Sequence, residues 1–458
     1  MKLLIDKLGM NGEGVARPLR DNDNVDKLSE NKVDEVVNDD INKDLQKVTF
    51  VDFALPGEVV DVDIVQEKSK FCTAKLNSVI NTSEDRVVAP CPYFTKCGGC
   101  NLQHLKYGKQ LEFKTNLVKE TLQKVGGLDL EVQHCVSSSD YGYRNKGVFP
   151  LGKNIGMFES VSHNIIPIDK CLLMNDNINL ALNIVKDWIS ENNIKTFDFA
   201  NFKGLLKYLV VRSVNNQTLV CLVATSKDIK HLDSLVDKLK VLGEFGLYIN
   251  INNQHNSIIL GREYMHIAGI KSITLDEFGI EYDVDVASFL QVNNEIKTKL
   301  YGEVINQVGG GVVIDAYAGA GLLSASLSKG ASMVYSVEII TQASEKARQL
   351  VKANSIDNMD VINGDCTKIV PNLIKKVQIE NKGIKCSVVL DPAHVGCSPQ
   401  VIDAVKTADK IIYIACNPIA LAKDLKVLQQ THKIIKIEPY DMFPQTKHVE
   451  TLAILERR

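Results

Sequence analysis

The sequence predicts an α/β fold in which a Rossmann-like C-terminal sheet follows a small N-terminal β-barrel and a central α+β region. Three observations carry this expectation. From about residue 288, apolar runs at Val312–Ala316, Met333–Val337, Met359–Ile362, Ser387–Leu390 and Ile411–Ala415 alternate with helical segments, the rhythm of a doubly wound parallel sheet. Residues 1–20 and 47–80 instead alternate apolar residues between Gly and Pro turns, as short barrel strands do. Finally, 458 residues exceed what one hydrophobic core organises. The expected divisions are 1–80, 81–287 and 288–458.

Taken in order, Gly12-Glu-Gly14-Val-Ala, Val48-Thr-Phe50-Val-Asp-Phe53 and Val59-Val-Asp-Val-Asp-Ile64 supply the barrel strands. Between them, residues 21–46 hold nine acidic and three basic side chains, five asparagines and no aromatic residue. Such a segment buries too little apolar surface to offset its ordering entropy, so a disordered insert facing away from any polyanion is expected there. The whole chain carries a net charge of −3 and the rest, without that segment, +3; charge alone announces no nucleic-acid partner. Leu102 to Val125 lacks Pro and spaces its apolar residues helically. Residues 130–285 mix strands and helices, with Trp188 expected in the core. Beyond the five parallel runs, Ile434–Tyr440 and Leu452–Leu455 predict two more strands.

Eleven cysteines spread along a long chain argue against a secreted disulfide framework. No signal peptide and no bilayer-spanning run is recognised. A cytoplasmic protein, acting as a monomer, is the expectation.

Chemistry-bearing residues gather at the predicted strand ends. In open α/β sheets, ligands collect outside the carboxyl ends of the strands, where Tyr317, Glu338, Asp365, Asp391 and Cys416 fall. Asp315-Ala-Tyr317-Ala-Gly319-Ala-Gly321 reads as a nucleotide-type cofactor loop, its glycines letting backbone approach a ligand. Glu338, 17 residues after Gly321, is placed to accept ribose hydroxyls, and Asp365 to meet an adenine amine. Ser324 stands where G-x-G-x-x-G has its third glycine. The spacing therefore favours S-adenosylmethionine over NAD(P), and a purely structural turn remains the third reading.

Cys416 lies in Ile-Ala-Cys416-Asn417-Pro418, with Glu450 34 positions later. Asn417 suits an N-cap and Pro418 the first helical position, so the thiol is expected beside a helix N-terminus. That dipole favours the thiolate by about 0.3–1 kcal/mol, too little to ionise a thiol of ordinary pKa. A cysteine nucleophile and a later carboxylate suit covalent attack followed by proton removal, as methylation of C5 of uracil requires. Asp391, in Leu390-Asp391-Pro392, is placed to hold the pyrimidine edge or the cofactor's amino-acid end.

A second group is Cys91-x₅-Cys97-x₂-Cys100, with Gly98-Gly99 between the last two and Cys171 as a possible fourth member. Four thiolates suit zinc or an iron–sulfur cluster, and the glycine pair makes room for the bulkier group.

These residues resemble the iron–sulfur-containing RNA uracil-5-methyltransferase family, whose members make 5-methyluridine in ribosomal RNA. The resemblance covers nearly the whole chain. Gly12–Ala16 and Phe53–Val62 resemble the family's TRAM RNA-binding barrel, and Pro90-Cys91-Pro-Tyr-Phe-Thr-Lys-Cys97-Gly-Gly-Cys100-Asn-Leu-Gln-His its cluster motif. Cys171, after Ser162-His163-Asn-Ile-Ile-Pro-Ile-Asp-Lys, resembles the fourth ligand. Phe289-Leu-Gln291-Val-Asn293 and Asp441-Met-Phe-Pro-Gln-Thr-Lys-His448-Val-Glu450-Thr are similar to two active-site runs.

The resemblance implies a class I methyltransferase sheet, with Gln291, Tyr317, Glu338, Asp365 and Asp391 binding S-adenosylmethionine or framing the site. It further implies Cys416 as nucleophile, Glu450 as base, a 4Fe–4S cluster on Cys91, Cys97, Cys100 and Cys171, and a helix near 102–125 packed on the catalytic domain. Large-subunit ribosomal RNA is the first substrate it suggests, the T-loop of transfer RNA the second. Two positions depart from the family. His394 stands where an arginine usually follows Asp-Pro-x, and Lys423 where an arginine is common. Histidine is shorter and only partly charged, which motivates an RNA-binding protein without catalysis as a competing expectation. An NAD-linked oxidoreductase with an iron–sulfur centre is the third.

Overall fold

The computed structural model describes residues 1–18, 47–160, 162–254, 256–380 and 383–458. The acidic insert expected at 21–46 lies outside the described residues. Two compact units emerge: residues 1–113 with 445–447, and residues 114–444 with 448–458.

In the first unit, strands Lys2–Leu8, Gly14–Pro18, Val48–Val51, Phe71–Asn81 and Val59–Glu67 close into a five-stranded barrel in that order. Leu3 pairs with Val60 to seal it. Period-2 alternation fills the interior with Leu3, Ile5, Ala16, Val51, Val60, Val62 and Ala74. The chain leaving the barrel is tied back by Arg86, whose Nε and Nη2 donate to the two carboxylate oxygens of buried Glu58 at 2.5 and 2.7 Å. Phe53, Phe94 and His104 then stack edge-on around the cysteine loop. Burial there holds the His104 imidazole neutral, its pKa down at about 3. Gln445 joins this unit through reciprocal bonds with Gln110, Nε2 to Oε1 at 2.9 Å and backbone N to Oε1 at 3.1 Å.

The second unit holds two large sheets and three two-stranded ones. The first runs Lys146–Pro150, Leu206–Val214, Gln217–Ala224, Glu244–Ile251, Glu263–Gly269. Helix Asp176–Glu191 contacts it, and Trp188 is fully buried with Nε1 donating to His231 O, the core position expected.

The second sheet has seven strands in the order Met359–Asn363, Met333–Glu338, Val312–Ala316, Cys386–Leu390, Lys410–Ala415, Glu450–Arg457, His432–Tyr440. The first five are parallel; Glu450–Arg457 inserts antiparallel between its neighbours. Each predicted apolar run is one of these strands, to within a residue or two at the ends. The middle strands bury both faces, hence their unbroken Val, Ile and Leu runs. Strand order reverses between Val312–Ala316 and Cys386–Leu390, the place where such sheets open a crevice. The helix expected near 102–125 spans Tyr107–Thr121, and a wider turn, Leu122–Gly126, continues it. Gly126 is needed there: a Cβ on it would stand 3.0 Å from Ala422 O, so a side chain would push the turn off helix Pro418–Leu428.

Candidate active site

Register places the two reacting candidates together. Ala415 is the cross-strand partner of Thr451, so Cys416 and Glu450 are the next residues out on adjoining antiparallel strands. Cys416 is exposed and Glu450 is 6% exposed. Beyond Cys416 the chain turns into helix Pro418–Leu428 as the sequence expects: Asn417 Oδ1 accepts from Ile419 N at 3.0 Å and Pro418 opens the helix. Asn417 Nδ2 also donates to His394 O at 2.9 Å. His394 thus meets the turn after Cys416 through its backbone, while its side chain is exposed.

Three carboxylates converge on the same edge. Asp391 follows Leu390, which pairs with Ala316 on one side and Tyr413 on the other. Asp315, one residue inside the central strand, is 1% exposed and accepts from Ser324 Oγ. Burial raises the pKa of all three groups: Asp315 to about 7, Asp391 to about 7 with Asp315 adding repulsion, and Glu450 to about 8 with Asp391 adding repulsion. The Cys416 thiol is pushed up to about 11 by burial, then by Glu450 and Asp391. The helix N-terminus does not offset this, in line with the expectation that its dipole is too weak to ionise the thiol.

The glycine loop lies at the reversal of strand order. Tyr317, Gly319 and Gly321 take φ of 67°, 57° and 83°. At Gly321 a Cβ would meet the Ala347 methyl at 2.8 Å, whereas beside Gly319 there is open space. Glu338 ends the neighbouring strand and grips this loop: Oε2 accepts from Gly319 N at 2.9 Å and Oε1 from Ile340 N at 2.7 Å. Asp365 accepts from Thr367 N at 2.8 Å, which holds its carboxyl below the ordinary range. Gln291 is held by its backbone, its carbonyl accepting from Asn145 Nδ2 at 2.8 Å.

The cysteine group looks different. Cys91, Cys97 and Cys100 are half-buried on one loop, and burial raises the Cys97 pKa. Cys171 sits on a turn clasped by Asn179, which accepts from Cys171 N at 2.8 Å and donates to Cys171 O at 3.1 Å. Among the described residues no three or more His, Cys, Asp or Glu gather as a group able to hold a metal ion.

Two features escaped the sequence. Asp315 was legible in principle, as a carboxylate inside a fully apolar strand. The pairing of Lys114 with Asp441, both fully buried, was not, since the two are 327 residues apart. Lys114 Nζ also donates to Phe443 O at 3.1 Å, so it anchors the loop leading to Glu450.

This edge sets a cysteine beside a carboxylate, with a glycine loop at the switch point of a Rossmann-like sheet, an arrangement suited to group transfer. Residues 106–458 match the family described as tRNA (Uracil-5-)-methyltransferase, and the chain belongs to that family. It is 37% identical to an uncharacterized RNA methyltransferase of Clostridium tetani, over 89% of this chain and 91% of that one. An uncharacterized RNA methyltransferase of Halalkalibacterium halodurans is 31% identical over 94% and 98% of the respective chains. Among solved structures, Pyrococcus abyssi tRNA (uracil-54, C5)-methyltransferase in complex with S-adenosyl-L-homocysteine superposes with a TM-score of 0.77 and 25% identity, covering 99% of this chain and 100% of that one. Among the described residues no helix is long and apolar enough to cross a membrane.

Proposed function

We propose that the protein transfers a methyl group from S-adenosylmethionine to C5 of a uridine in RNA, with Cys416 as nucleophile and Glu450 as base. The observation that carries this reading is the antiparallel register that sets Cys416 beside Glu450 at the carboxyl edge of the sheet. The cofactor fits the loop: glycines with positive φ leave room at Gly319, and an acidic residue ends the next strand. The solved neighbour holds the demethylated product of that cofactor. Tyr317, Glu338, Asp365, Gln291 and Asp391 would hold it, and when bound it supplies an electrophilic methyl on a positively charged sulfur.

The chain's own residues do the rest. The Cys416 thiolate adds to C6 of uracil, forming an S–C6 bond and moving the C5=C6 electron pair toward O4. C5 is then nucleophilic and takes up the methyl group. The product keeps a C5 proton and cannot eliminate until a base removes it. Glu450 takes that proton, the C5=C6 bond re-forms, the C6–S bond breaks, and Cys416 leaves as thiolate. Asp391 faces both groups and biases their protonation. A positive charge beside these carboxylates favours their ionised forms, so a loaded site is the one primed for catalysis.

Ribosomal RNA is the proposed first target, on the likeness of the barrel to a TRAM module and of Cys91–Cys100 to the cluster motif. Transfer RNA is a second reading, favoured by the solved neighbour. Loss of 5-methyluridine from a single position in cells lacking the protein, restored by the wild type and not by Cys416→Ala, is the expected result. An unchanged 5-methyluridine map refutes the reading. No step is routed through a 4Fe–4S cluster. Iron and sulfide in anaerobically purified protein, lost together on Cys97→Ala, would reinstate it; zinc alone or no metal would remove it.

A further inference from the structure

A set of cations that outnumbers its carboxylates lies on the other large sheet of this unit. Arg212, on strand Leu206–Val214, is the direct cross-strand partner of Lys146 on Lys146–Pro150. Both point to the face that carries Val148, Val210 and Val214. Arg212 is 2% exposed and donates from Nη2 to Ser288 O at 2.7 Å, while Nε and Nη1 have no hydrogen-bond partner. Among the described residues the Lys146 ammonium makes no hydrogen bond or ion pair; burial, then Arg212 and Arg144, pull its pKa down to about 8.

The nearby carboxylates are committed elsewhere. Asp285 pairs with Lys346 and accepts from Ser288 N at 2.8 Å. Glu277 pairs with Lys297 at 2.6 Å. Around Arg212, therefore, Arg144, Lys146, Lys297 and Lys346 add four positive charges against two negative ones. An uncompensated buried guanidinium costs several kcal/mol and marks a place that expects an anion.

The chain running into Lys146 shows what lies beside it. Tyr143 Oη donates to Pro444 O at 3.1 Å, six residues before Glu450. Asn145 holds Gln291 and Val292, Nδ2 to Gln291 O at 2.8 Å and backbone N to Val292 O at 2.9 Å. This short segment therefore links the base loop to the Gln291 run.

We propose that Lys146 and Arg212 form a phosphodiester-binding site that seats the RNA backbone next to the nucleotide being modified. Arg212 keeps unpaired donors at Nε and Nη1 for phosphate oxygens, and Lys146 supplies a point charge from the more open side. A carboxylate has the same two-oxygen fork, so the cofactor's amino-acid end is the rival occupant. The glycine loop, on a separate sheet, argues for the phosphate. The substrate class rests on the function proposed above; the anion site rests on the unpartnered cations alone.

The test is fluorescence anisotropy of a uridine-containing hairpin oligoribonucleotide across a salt series, with S-adenosylhomocysteine binding measured in parallel. Lys146→Gln is expected to weaken hairpin binding by about threefold to tenfold and to flatten the salt slope by about 0.7–0.9, one phosphate contact. Lys146→Arg should restore both, and S-adenosylhomocysteine affinity should not change. Arg212→Lys, checked for folding by circular dichroism, should fall between wild type and Lys146→Gln. Unchanged hairpin affinity and slope in Lys146→Gln overturns the site. So does a loss confined to S-adenosylhomocysteine, which assigns the cations to the cofactor's carboxylate. Failure of the wild type to methylate any RNA, with the Lys146→Gln slope still flattened, would reject the methylation reading and leave the anion site standing.

Discussion

Cys416 and Glu450 are each poorly ionised before ligands arrive, because desolvation, partial at the exposed Cys416 and nearly complete at Glu450, raises both pKa values and neighbouring acidic groups add to it. The proposed base therefore gains its working form as pH rises through about 8. Single-turnover release of methylated RNA should accelerate from pH 6.5 to 8.5, and a rate flat across that range would remove Glu450 from the step. The same carboxyl bears on stability. Its folded-state pKa lies above the unfolded one, so the folded protein binds the extra proton. That stabilisation is complete below the ordinary glutamate value and is lost as pH climbs through about 8, at about 1.4 kcal/mol per unit of displacement. Glu450→Gln should accordingly raise the melting temperature of the ligand-free protein at pH 8.5 while trapping an RNA–protein adduct. A lower melting temperature than wild type at that pH would contradict the burial argument. That Cys416 follows one strand and Glu450 opens another was legible in the sequence, from the Asn-Pro helix start and the run Phe443-Pro444-Gln445-Thr446. Their elevated pKa values were not, since desolvation and the nearness of Asp391 arise only from packing.

Among the elements, the seven-stranded sheet was the most legible part, because strands buried on both faces are written as continuous apolar runs. What the runs did not reveal was direction: the antiparallel insertion of Glu450–Arg457 between Lys410–Ala415 and His432–Tyr440 sets Glu450 beside Cys416. The support behind the base loop was hidden too. Lys114 reaches Asp441 and Phe443 O from helix Tyr107–Thr121, and a lysine in a helix carries no sign of such a distant partner. Lys114→Met would leave Asp441 buried without its cation, at a cost of about 3–5 kcal/mol. Denaturant midpoints should fall accordingly, and in the surviving folded fraction adduct release should slow more than adduct formation. Equal slowing of both steps would assign Lys114 to general stability alone.

At the level of the whole molecule, the closed barrel was readable from alternation between Gly and Pro turns, and its strand order adds only that Val48–Val51 pairs in parallel with Phe71–Asn81. The cysteine spacing was readable as well; among the described residues no three or more potential ligands gather as a metal-holding group, and side-chain packing, which a spacing does not record, decides which of them meet. The account's central claim is a transient bond between Cys416 and C6 of a uridine. Incubating the protein with S-adenosylmethionine and RNA carrying 5-fluorouridine replaces the abstractable C5 proton with fluorine, so the methylated adduct cannot resolve. Mass spectrometry of the digested complex should find the nucleotide on the peptide containing Cys416, and not in Cys416→Ala. Methylated RNA formed without any adduct at Cys416, or an adduct on another residue, would contradict the account.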